Sequence, residues 1–374
     1  MRAGPPKIKD VAALAGVSVA TVSRALNDNP TVDPVMVDRV RNAALTLGYR
    51  TNALARSLRR QRADVWALII SDINQPFFTS VARGVEDVAQ SAGFAVFLCN
   101  SDEDPVKEER YLDLAERERV SGVILSPNRL GSDVSRLAQS GVPVIAIDKP
   151  LNDSVDTVLT QSREGARAAT AHLLEQGYSN PACVTGPSTG WTAEQRLAGY
   201  KDALRERGLR VSRNLIRRAN YRAASARQAV ASMLDLKEPP DALFMANSEM
   251  ALGALDELQA RGLVPGRDIG LIMFDDPPWA GFLTPPLSVV VQPSYELGRH
   301  AAEILLERIR SKPGHDALIQ SPSVVVLPTE LIVRGSSLLM ADSRALRETV
   351  VKPLGGEEAS SERMQPRGRL APTR

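Results

Sequence analysis

The sequence contains no apolar run long enough to cross a membrane. Its 374 residues include no stretch of about eighteen or more consecutive apolar residues, the length at which a spanning helix becomes a candidate. The first ten residues are polar and basic, without the apolar segment of a secretory signal. We therefore expect no membrane association and a cytoplasmic location.

Cysteine and histidine are scarce, with two and three copies in the chain. Cys99 and Cys183 each end an apolar run, which favours small buried residues in a reducing compartment over a disulfide. The histidines, His172, His300 and His315, lie far apart without Cys or carboxylate neighbours at ligand spacing. The chain also lacks a G-x-S-x-G elbow and a P-loop. We expect no metal, no cofactor and no enzymatic activity.

Charge is concentrated at one end of the chain. Residues 1–62 hold eleven Lys and Arg against four acids, a net charge of +7, whereas the whole chain carries only +2. A length of 374 residues with 43% hydrophobic content indicates two or three folded domains. The N-terminal segment is therefore predicted to be a separate nucleic-acid-binding module.

Residues 8–27 predict two short helices around a tight turn. Gly16 follows the first helix, where a left-handed residue is favoured, and Ser18 is placed to cap the second. The inward-facing residues are Ile8, Val11, Ala12 and Ala15 in the first helix and Val22, Ala25 and Leu26 in the second. The outward-facing residues of the second helix are Val19, Ala20, Ser23 and Arg24. This is a helix-turn-helix pattern, although an ordinary helical hairpin would give similar periodicity.

A third helix is predicted from Asp33-Pro34 to Gly48, completing a three-helix head. Asn52 then starts a short basic segment with Ala55 and Leu58 on one helical face. Nine residues do not hold a helix in water unaided. The segment is either a disordered linker or a hinge that folds on DNA, with Leu58 as a wedge between base pairs.

From Val65 onward, apolar strand-like runs alternate with helical segments at short intervals, first over 65–147 and again over 182–274. This alternation predicts doubly wound parallel sheets in two lobes. We expect a head at 1–50, a hinge at 51–62 and a body at 63–340. Lobe 1 is expected at about 63–160 and 291–321, and lobe 2 at about 161–290 and 322–340. Residues 341–374 have no periodicity and are predicted to be a disordered tail.

The motifs together resemble the lactose-repressor (LacI/GalR) family of bacterial transcription regulators over about residues 7–340. The segments that carry the resemblance are Asp10-Val-Ala, Gly16-Val-Ser, Thr21-Val-Ser-Arg-Ala-Leu-Asn27, Ala53-Leu-Ala-Arg-Ser-Leu58, Gly186-Pro, Arg196-Leu-Ala-Gly-Tyr200, Ala246-Asn, Met250-Ala-Leu-Gly253 and Phe274-Asp-Asp276. The resemblance implies an α/β body like the periplasmic sugar-binding proteins behind a helix-turn-helix head and a hinge helix. It also implies a homodimer on a near-palindromic double-stranded operator, with each head reading one half-site.

The resemblance assigns DNA contacts to matching positions. Val19, Ala20 and Arg24 would face base edges, with Arg24 favouring guanine. Phosphate or backbone contacts would come from Ile8, Ser18, Thr21, Ser23, Asn27, Thr31 and Asn52. Leu58 would intercalate at the operator centre with Ala55 packed beside it.

The resemblance also implies a small-molecule effector, typically a carbohydrate, in the cleft between the lobes. Its expected contacts are Phe77, Phe78, Asp148, Trp191, Arg196, Tyr221, Asn247 and Asp275. Ser248 stands where many relatives carry aspartate, and Gly190 offers no side chain, so Trp191 is the expected substitute there. Effector binding would shift the lobes and thereby alter operator affinity, which makes the protein a regulator and a repressor. The alternative from another class is a soluble sugar-binding protein without a regulatory role.

Overall fold

The computed structural model describes residues 6–26, 31–49, 62–128, 132–311 and 321–339. The chain separates into two compact units, one of residues 1–161, 189–192 and 293–328 and the other of residues 162–188, 193–292 and 329–374. We call the N-terminal helices of the first unit the head and the rest of that unit lobe 1. The second unit is lobe 2.

The head contains the three helices that the sequence predicts: α1 (Ile8–Ala15), α2 (Val19–Ala25) and α3 (Pro34–Leu47). Gly16 and Gly48 end α1 and α3 in the left-handed conformation, with φ of 62° and 64°. The Asp33 carboxylate accepts a hydrogen bond from the Val35 N–H at 2.8 Å and so caps α3. The three helices share one core, formed by Val11, Ala12, Ala15, Val22, Ala25, Val40, Ala43 and Ala44.

Lobe 1 is a six-stranded, wholly parallel sheet of β1 (Ala63–Ile70), β2 (Ala95–Asn100), β3 (Val120–Leu125), β4 (Val144–Ile147), β5 (Asp156–Thr160) and β11 (Val324–Leu327). The strand order is β2-β1-β3-β4-β5-β11. Its helices are α4 (Pro76–Ser91), α5 (Pro105–Arg117), α6 (Ser135–Gln139) and α11 (Ser294–Arg310).

The strands of lobe 2 are β6 (Pro181–Thr185), β7 (Ile216–Arg218), β8 (Ala242–Met245), β9 (Gly270–Phe274), β10 (Ser288–Val291) and β12 (Glu330–Ile332). They repeat the order of lobe 1 as β7-β6-β8-β9-β10-β12, except that β12 runs antiparallel to β10. The long helices are α7 (Ser162–Glu175), α8 (Trp191–Glu206), α9 (Ala223–Leu234) and α10 (Ser248–Ala260). Short 3-10 turns lie at Arg213–Leu215, Pro278–Gly281 and Gly335–Ser337.

Both sheets are covered on both faces, which is why their central strands read as continuous apolar runs. In β1, for example, Leu68 packs into one core cluster and Ile69 into the cluster on the opposite face. In β9 the same alternation separates Met273 from Phe274. The predicted burial of Cys99 and Cys183 is confirmed, and both are free thiols.

Glycines allow helices to cross very closely within each lobe. A Cβ added to Gly84 of α4 would lie 2.2 Å from the backbone oxygen of Tyr295 in α11. A Cβ on Gly253 of α10 would lie 2.0 Å from the backbone oxygen of Ala223 in α9. These oxygens belong to the helix backbone, which cannot move aside as a flexible side chain can. Only glycine therefore fits at these two crossings.

The sequence-based prediction differs from the structure in three places. β5 and β7 are not predicted, because β5 includes charged and hydroxyl residues and β7 has three residues, two of them Arg. The predicted lobe boundary at 321/322 is wrong, because β11 pairs with β5 and keeps the chain in lobe 1 as far as Pro328. The hinge at 51–62, apart from Arg62, and the tail at 341–374 lie outside the described residues. None of the described helices is long and apolar enough to span a membrane.

Candidate functional site

The second helix of the head is held at a fixed angle to the first by local capping. The backbone N–H of Val17 donates to the Ala12 carbonyl at 3.1 Å, which closes α1 after Gly16. The Ser18 hydroxyl oxygen accepts from the Thr21 N–H at 3.1 Å and caps α2. The turn between the helices is therefore short and fixed.

The exposed side of α2 carries the residues expected to read DNA. Val19, Ala20 and Arg24 are exposed, while Val22 and Ala25 on the opposite side are buried. Among the described residues, Arg24 makes a long contact from Nε to the Ala20 carbonyl at 3.4 Å, and its side chain is exposed. Ser18 and Thr31 are also exposed, and Ile8, Thr21 and Ser23 are half-buried. Asn27, Asn52, Ala55 and Leu58 lie outside the described residues.

Strained backbone residues mark the ends of strands in both lobes. Six described non-glycine residues have a positive φ, and one of them, Arg119, precedes a strand. The other five follow the carboxyl ends of β2, β4, β7 and β9: Asp102, Glu103, Asp148, Tyr221 and Asp275. Such conformations cost roughly 1–3 kcal/mol each and gather at ligand-binding sites. In parallel α/β sheets, ligands bind beyond the carboxyl ends of the strands.

Asp275 follows β9 in lobe 2 and is buried, with 8% of its surface exposed. Its Oδ1 accepts a hydrogen bond from Gln292 Nε2 at 2.6 Å. Burial raises the pKa of Asp275 above its ordinary value. The charge of Arg196, the Gln292 hydrogen bond and a backbone N–H at Ser248 oppose this rise in the pKa of Asp275 without cancelling it.

Arg196 lies on α8 with 5% of its surface exposed. Its guanidinium carbon is 3.9 Å from the ring centroid of Phe274, and one terminal nitrogen donates to the Ala246 carbonyl. Its Nε is buried and has no hydrogen-bond partner among the described residues. A buried charged donor without a hydrogen-bond partner is energetically costly.

Asn247 combines a structural contact with an open one. Its Oδ1 accepts from the Met250 N–H at 2.9 Å and caps α10. Its Nδ2 is buried and, within the described part of the chain, unpartnered. Two buried donors, Arg196 Nε and Asn247 Nδ2, are therefore left open on the same lobe as the Asp275 carboxylate.

Tyr221 follows β7 with a φ of 61°. A Cβ on Gly186 would lie 2.2 Å from Tyr221 Cζ, so the ring lies against the turn that follows β6. Trp191 is the half-buried first residue of α8 and belongs to lobe 1, although the rest of α8 belongs to lobe 2. No described contact joins its side chain to Arg196 or Asp275. Lobe 2 thus brings together Arg196, Asn247 and Asp275 most clearly.

Lobe 1 places its predicted residues differently. Phe77 and Phe78 are 7% and 3% exposed, belong to the lobe 1 core and stack edge to face at 5.0 Å. Their role at an effector site stays a prediction. Asp148 follows β4 with a φ of 65° and 8% exposure, as Asp275 follows β9 in lobe 2.

Two residues at these strand ends are not predicted by the sequence. Gln292 follows β10 and orients Asp275, and Lys149 is a lobe 1 ammonium with 7% of its surface exposed. A glutamine after a strand has no motif, and a lysine is ordinarily solvent-exposed. The weak signal is their position one or two residues after an apolar strand run.

Comparison with known proteins agrees with this arrangement. Residues 7–52 match the profile "Bacterial regulatory proteins, lacI family", and residues 170–337 match "Periplasmic binding protein-like domain". The chain is 35% identical over 327 residues to the ribose operon repressor of Halalkalibacterium halodurans, covering 87% of this chain and 96% of the relative. It is 32% identical over 332 residues to the transcriptional repressor PurR of Aliivibrio fischeri, covering 87% and 98%.

Among solved structures, the chain is similar to the complex of the transcriptional regulator CelR with cellobiose. That similarity has 30% sequence identity, a TM-score of 0.67, and coverage of 88% of this chain and 99% of CelR. The head, the two parallel sheets and these full-length similarities lead to one assignment: the chain belongs to the lacI family of bacterial regulatory proteins and is a DNA-binding transcriptional regulator.

Proposed function

We propose that the protein is a transcriptional repressor that reads a near-palindromic operator through α2. Its operator affinity falls or rises when a polyhydroxylated effector binds. The observation that carries the effector proposal is the pair of unpartnered buried donors, Arg196 Nε and Asn247 Nδ2, on the same lobe as the Asp275 carboxylate. The names of the relatives, which are repressors, support the direction of regulation.

The chemistry of the lobe 2 residues fits vicinal hydroxyls. Each hydroxyl of a sugar both donates and accepts, so it can accept from a buried N–H and donate to a carboxylate. The Arg196 and Asn247 nitrogens supply donors, and Asp275 supplies an acceptor. Relatives whose names include ribose and cellobiose favour a sugar as the effector. Asp148 and the two phenylalanines of lobe 1 are proposed to complete its contacts.

The effector acts by coupling two equilibria. An effector that prefers one arrangement of the lobes shifts the population toward it, and a coupling of about 1–3 kcal/mol is enough for a useful switch. The hinge segment 51–62, with Leu58 as the proposed minor-groove wedge, is the connection between body and head. The same coupling describes an inducer, which lowers operator affinity, and a corepressor, which raises it.

We further propose that two copies associate through exposed apolar side chains. β2 is an edge strand of its sheet, and its Phe97 and Leu98 are 47% and 43% exposed. In lobe 2, Phe282 is 87% exposed and Leu252 is 40% exposed. Apolar edge strands are a liability unless a partner covers them, and a twofold operator requires two heads. Phe282→Ser should shift the protein toward monomer in sedimentation experiments and weaken operator binding at low protein concentration.

The protein is proposed to act in the cytoplasm without catalysis. The carbohydrate-binding alternative, a soluble sugar-binding protein with no regulatory role, is tested by removing residues 1–62. A regulator then loses operator affinity while its body still binds the effector. A protein whose only role is sugar binding would have shown no operator affinity before truncation.

Selection of bound DNA from a random pool identifies the operator. The selected duplex is then titrated with protein in the presence of D-ribose, D-xylulose, cellobiose, adenosine or cytidine. At least one compound should change operator affinity by about 5- to 150-fold, the range expected for allosteric coupling. No sequence preference at moderate salt, with or without these compounds, would refute the proposal.

Base reading by α2 is tested with Arg24→Ala. We expect a loss of discrimination at one base pair of each half-site, worth about 1–3 kcal/mol. Arg39→Ala removes an equal charge from an exposed position on α3 and should weaken all sequences alike. Equal behaviour of the two variants would argue against Arg24 as a base reader.

A further inference from the structure

Three acidic residues in the left-handed conformation lie at the carboxyl ends of lobe 1 strands. Asp102 and Glu103, with φ of 53° and 58°, follow β2, and Asp148, with φ of 65°, follows β4. Two consecutive left-handed acids are costly for the backbone, so surrounding contacts must hold them. Lys149 supplies such contacts.

The Lys149 ammonium is held inside lobe 1. Its Nζ donates to the Ser71 hydroxyl at 3.2 Å and to the Glu103 carboxylate at 3.4 Å. The Lys149 side chain is 9% exposed, whereas that of Glu103 is 32% exposed. Ser71 in turn shares a hydrogen bond of 3.1 Å with Ser126, which follows β3. One ammonium therefore links the ends of β1 and β4 with the loop that follows β2.

Burying an ammonium is an inefficient way to stabilise a fold. Desolvation of the two charges can exceed their mutual attraction, and apolar residues of similar volume often stabilise a protein as well or better. The buried Lys149 ammonium at the strand ends is therefore better explained by the geometry it imposes than by stability. The residue whose geometry it fixes is its neighbour, Asp148.

Backbone hydrogen bonds hold both of the peptide groups that flank the Asp148 Cα. Its own N–H donates to the Val158 carbonyl of β5 at 3.0 Å. The next N–H, that of Lys149, turns back to the Ile147 carbonyl at 2.7 Å. Because the Lys149 side chain is anchored to Ser71 and Glu103, the left-handed turn at Asp148 has little freedom to relax.

We propose that Lys149 is a positioning residue for effector binding: its contacts with Glu103 and Ser71 hold Asp148 in the left-handed turn that presents its carboxylate. This inference rests on the proposed function, specifically on Asp148 as an effector contact. A direct contact between Lys149 and the effector is the competing explanation. The two are distinguished by whether Lys149 matters when the Asp148 carboxylate is absent.

The experiment compares Lys149→Met, Asp148→Ala and the double variant, with D-ribose as the probe or whichever compound of the panel above alters operator binding. Each single variant should weaken binding of the probe by about 10-fold or more. The double variant should be no weaker than Asp148→Ala alone, because a residue that acts through another shows this non-additivity. Calorimetry measures the affinity, and operator affinity without probe should be unchanged.

Two further variants separate positioning from general destabilisation. Lys149→Arg keeps a buried cation and should recover most of the affinity, to within about 3-fold of the natural protein. Lys107→Met removes the neighbouring, more exposed ion pair with Asp102, whose side chains are 43% and 38% exposed, and should leave probe affinity unchanged.

Three results would overturn the proposal: additive losses in the double variant, no loss in Lys149→Met, or no loss in Asp148→Ala. Arg196→Met provides an independent measure of the proposed function, since it lies in lobe 2. If Arg196→Met abolishes probe binding while Lys149→Met does not, the positioning role alone is wrong. If neither affects it, the proposed effector site is wrong as well.

Discussion

Lobe 1 and lobe 2 have the same strand order, and each buries one cation of the described part of the chain. The equivalent strands β4 and β9 are each followed by a left-handed aspartate, Asp148 or Asp275. Lys149 in lobe 1 is neutralised by Glu103, whereas Arg196 in lobe 2 keeps a buried nitrogen without a described partner. The same scaffold thus holds one buried cation that is paired and one that keeps an open nitrogen.

The strand ends of the two lobes can therefore have different roles, one in keeping a fixed geometry and the other in offering open donors. A strand end whose buried cation is paired within the lobe keeps its shape whether or not a ligand is present. An edge with open donors gains most when a ligand supplies the missing acceptors. We therefore expect lobe 2 to provide most of the binding free energy and lobe 1 to provide selectivity through geometry.

The largest expected effect is that of Arg196→Met. Removing a buried charged donor should weaken effector binding by about 100-fold, because such truncations cost roughly 2–5 kcal/mol. Lys149→Met, its lobe 1 counterpart, should have a clearly smaller effect. Calorimetric titration of the two variants measures the difference, and an equal or reversed order would contradict the division of roles.

The two lobes should respond alike to a methyl group added at their glycine helix crossings, although the chemistry of their strand ends differs. Gly84→Ala in lobe 1 and Gly253→Ala in lobe 2 both place a methyl group against a backbone oxygen of the facing helix. Each should lower the free energy of unfolding by about 1–3 kcal/mol, as overpacking does. Gly281→Ala is the control, since a Cβ there meets nothing within 4 Å. Thermal unfolding measures all three, and a neutral Gly84→Ala or Gly253→Ala would show that the helices can separate freely.

Effector affinity should fall on acidification in a way that depends on lobe 2. Burial raises the pKa of Asp275, so its carboxylate takes up a proton at a higher pH than an ordinary aspartate does. The effector needs the ionised acceptor, so affinity is full above this pKa and declines as pH falls through it. Asp275→Asn should bind about 10-fold more weakly at neutral pH, the effect of a lost charged hydrogen bond.

The same variant is the control for the pH dependence. Its affinity should be flat over the range in which the natural protein's affinity declines. If Asp275→Asn shows the same decline, another group is responsible.

The smallest expected effect concerns the glutamines that follow the equivalent strands β10 and β5. Gln292→Leu removes the hydrogen bond that orients Asp275 and should weaken effector binding by about 5-fold, because the carboxylate itself is retained. Gln161→Leu makes the matched change in lobe 1 and should alter affinity by less than about 2-fold. Equal losses would show that both glutamines support the effector site.

The fold was largely predictable because its signals are local. Continuous apolar runs identify the central strands, and Gly16 and Ser18 mark the turn of the head. β7 was missed because a three-residue edge strand containing two arginines has no periodic pattern. β11 was assigned to the wrong lobe because strand pairing, unlike strand formation, is decided by distant residues.

The candidate site was predictable only where a family motif marked it. Arg196, Asn247 and Asp275 belong to such motifs, and the structure places them all on lobe 2. Gln292 and Lys149 required the sheet order, since they approach their partners across 17 and 46 residues of sequence. Phe77 and Phe78 look the same in sequence whether they line a core or a ligand.

The interleaved path of the chain has a consequence for biosynthesis. The first sheet is finished by α11 and β11, which the ribosome delivers only after residues 162–292 have been made. Until then, the surface of Ile124 and Ile145 that α11 later covers stays open. During synthesis the chain thus exposes a half-covered lobe 1 sheet while lobe 2 emerges. Termination before residue 294 would leave lobe 1 incomplete as well, because α11 and β11 would be missing.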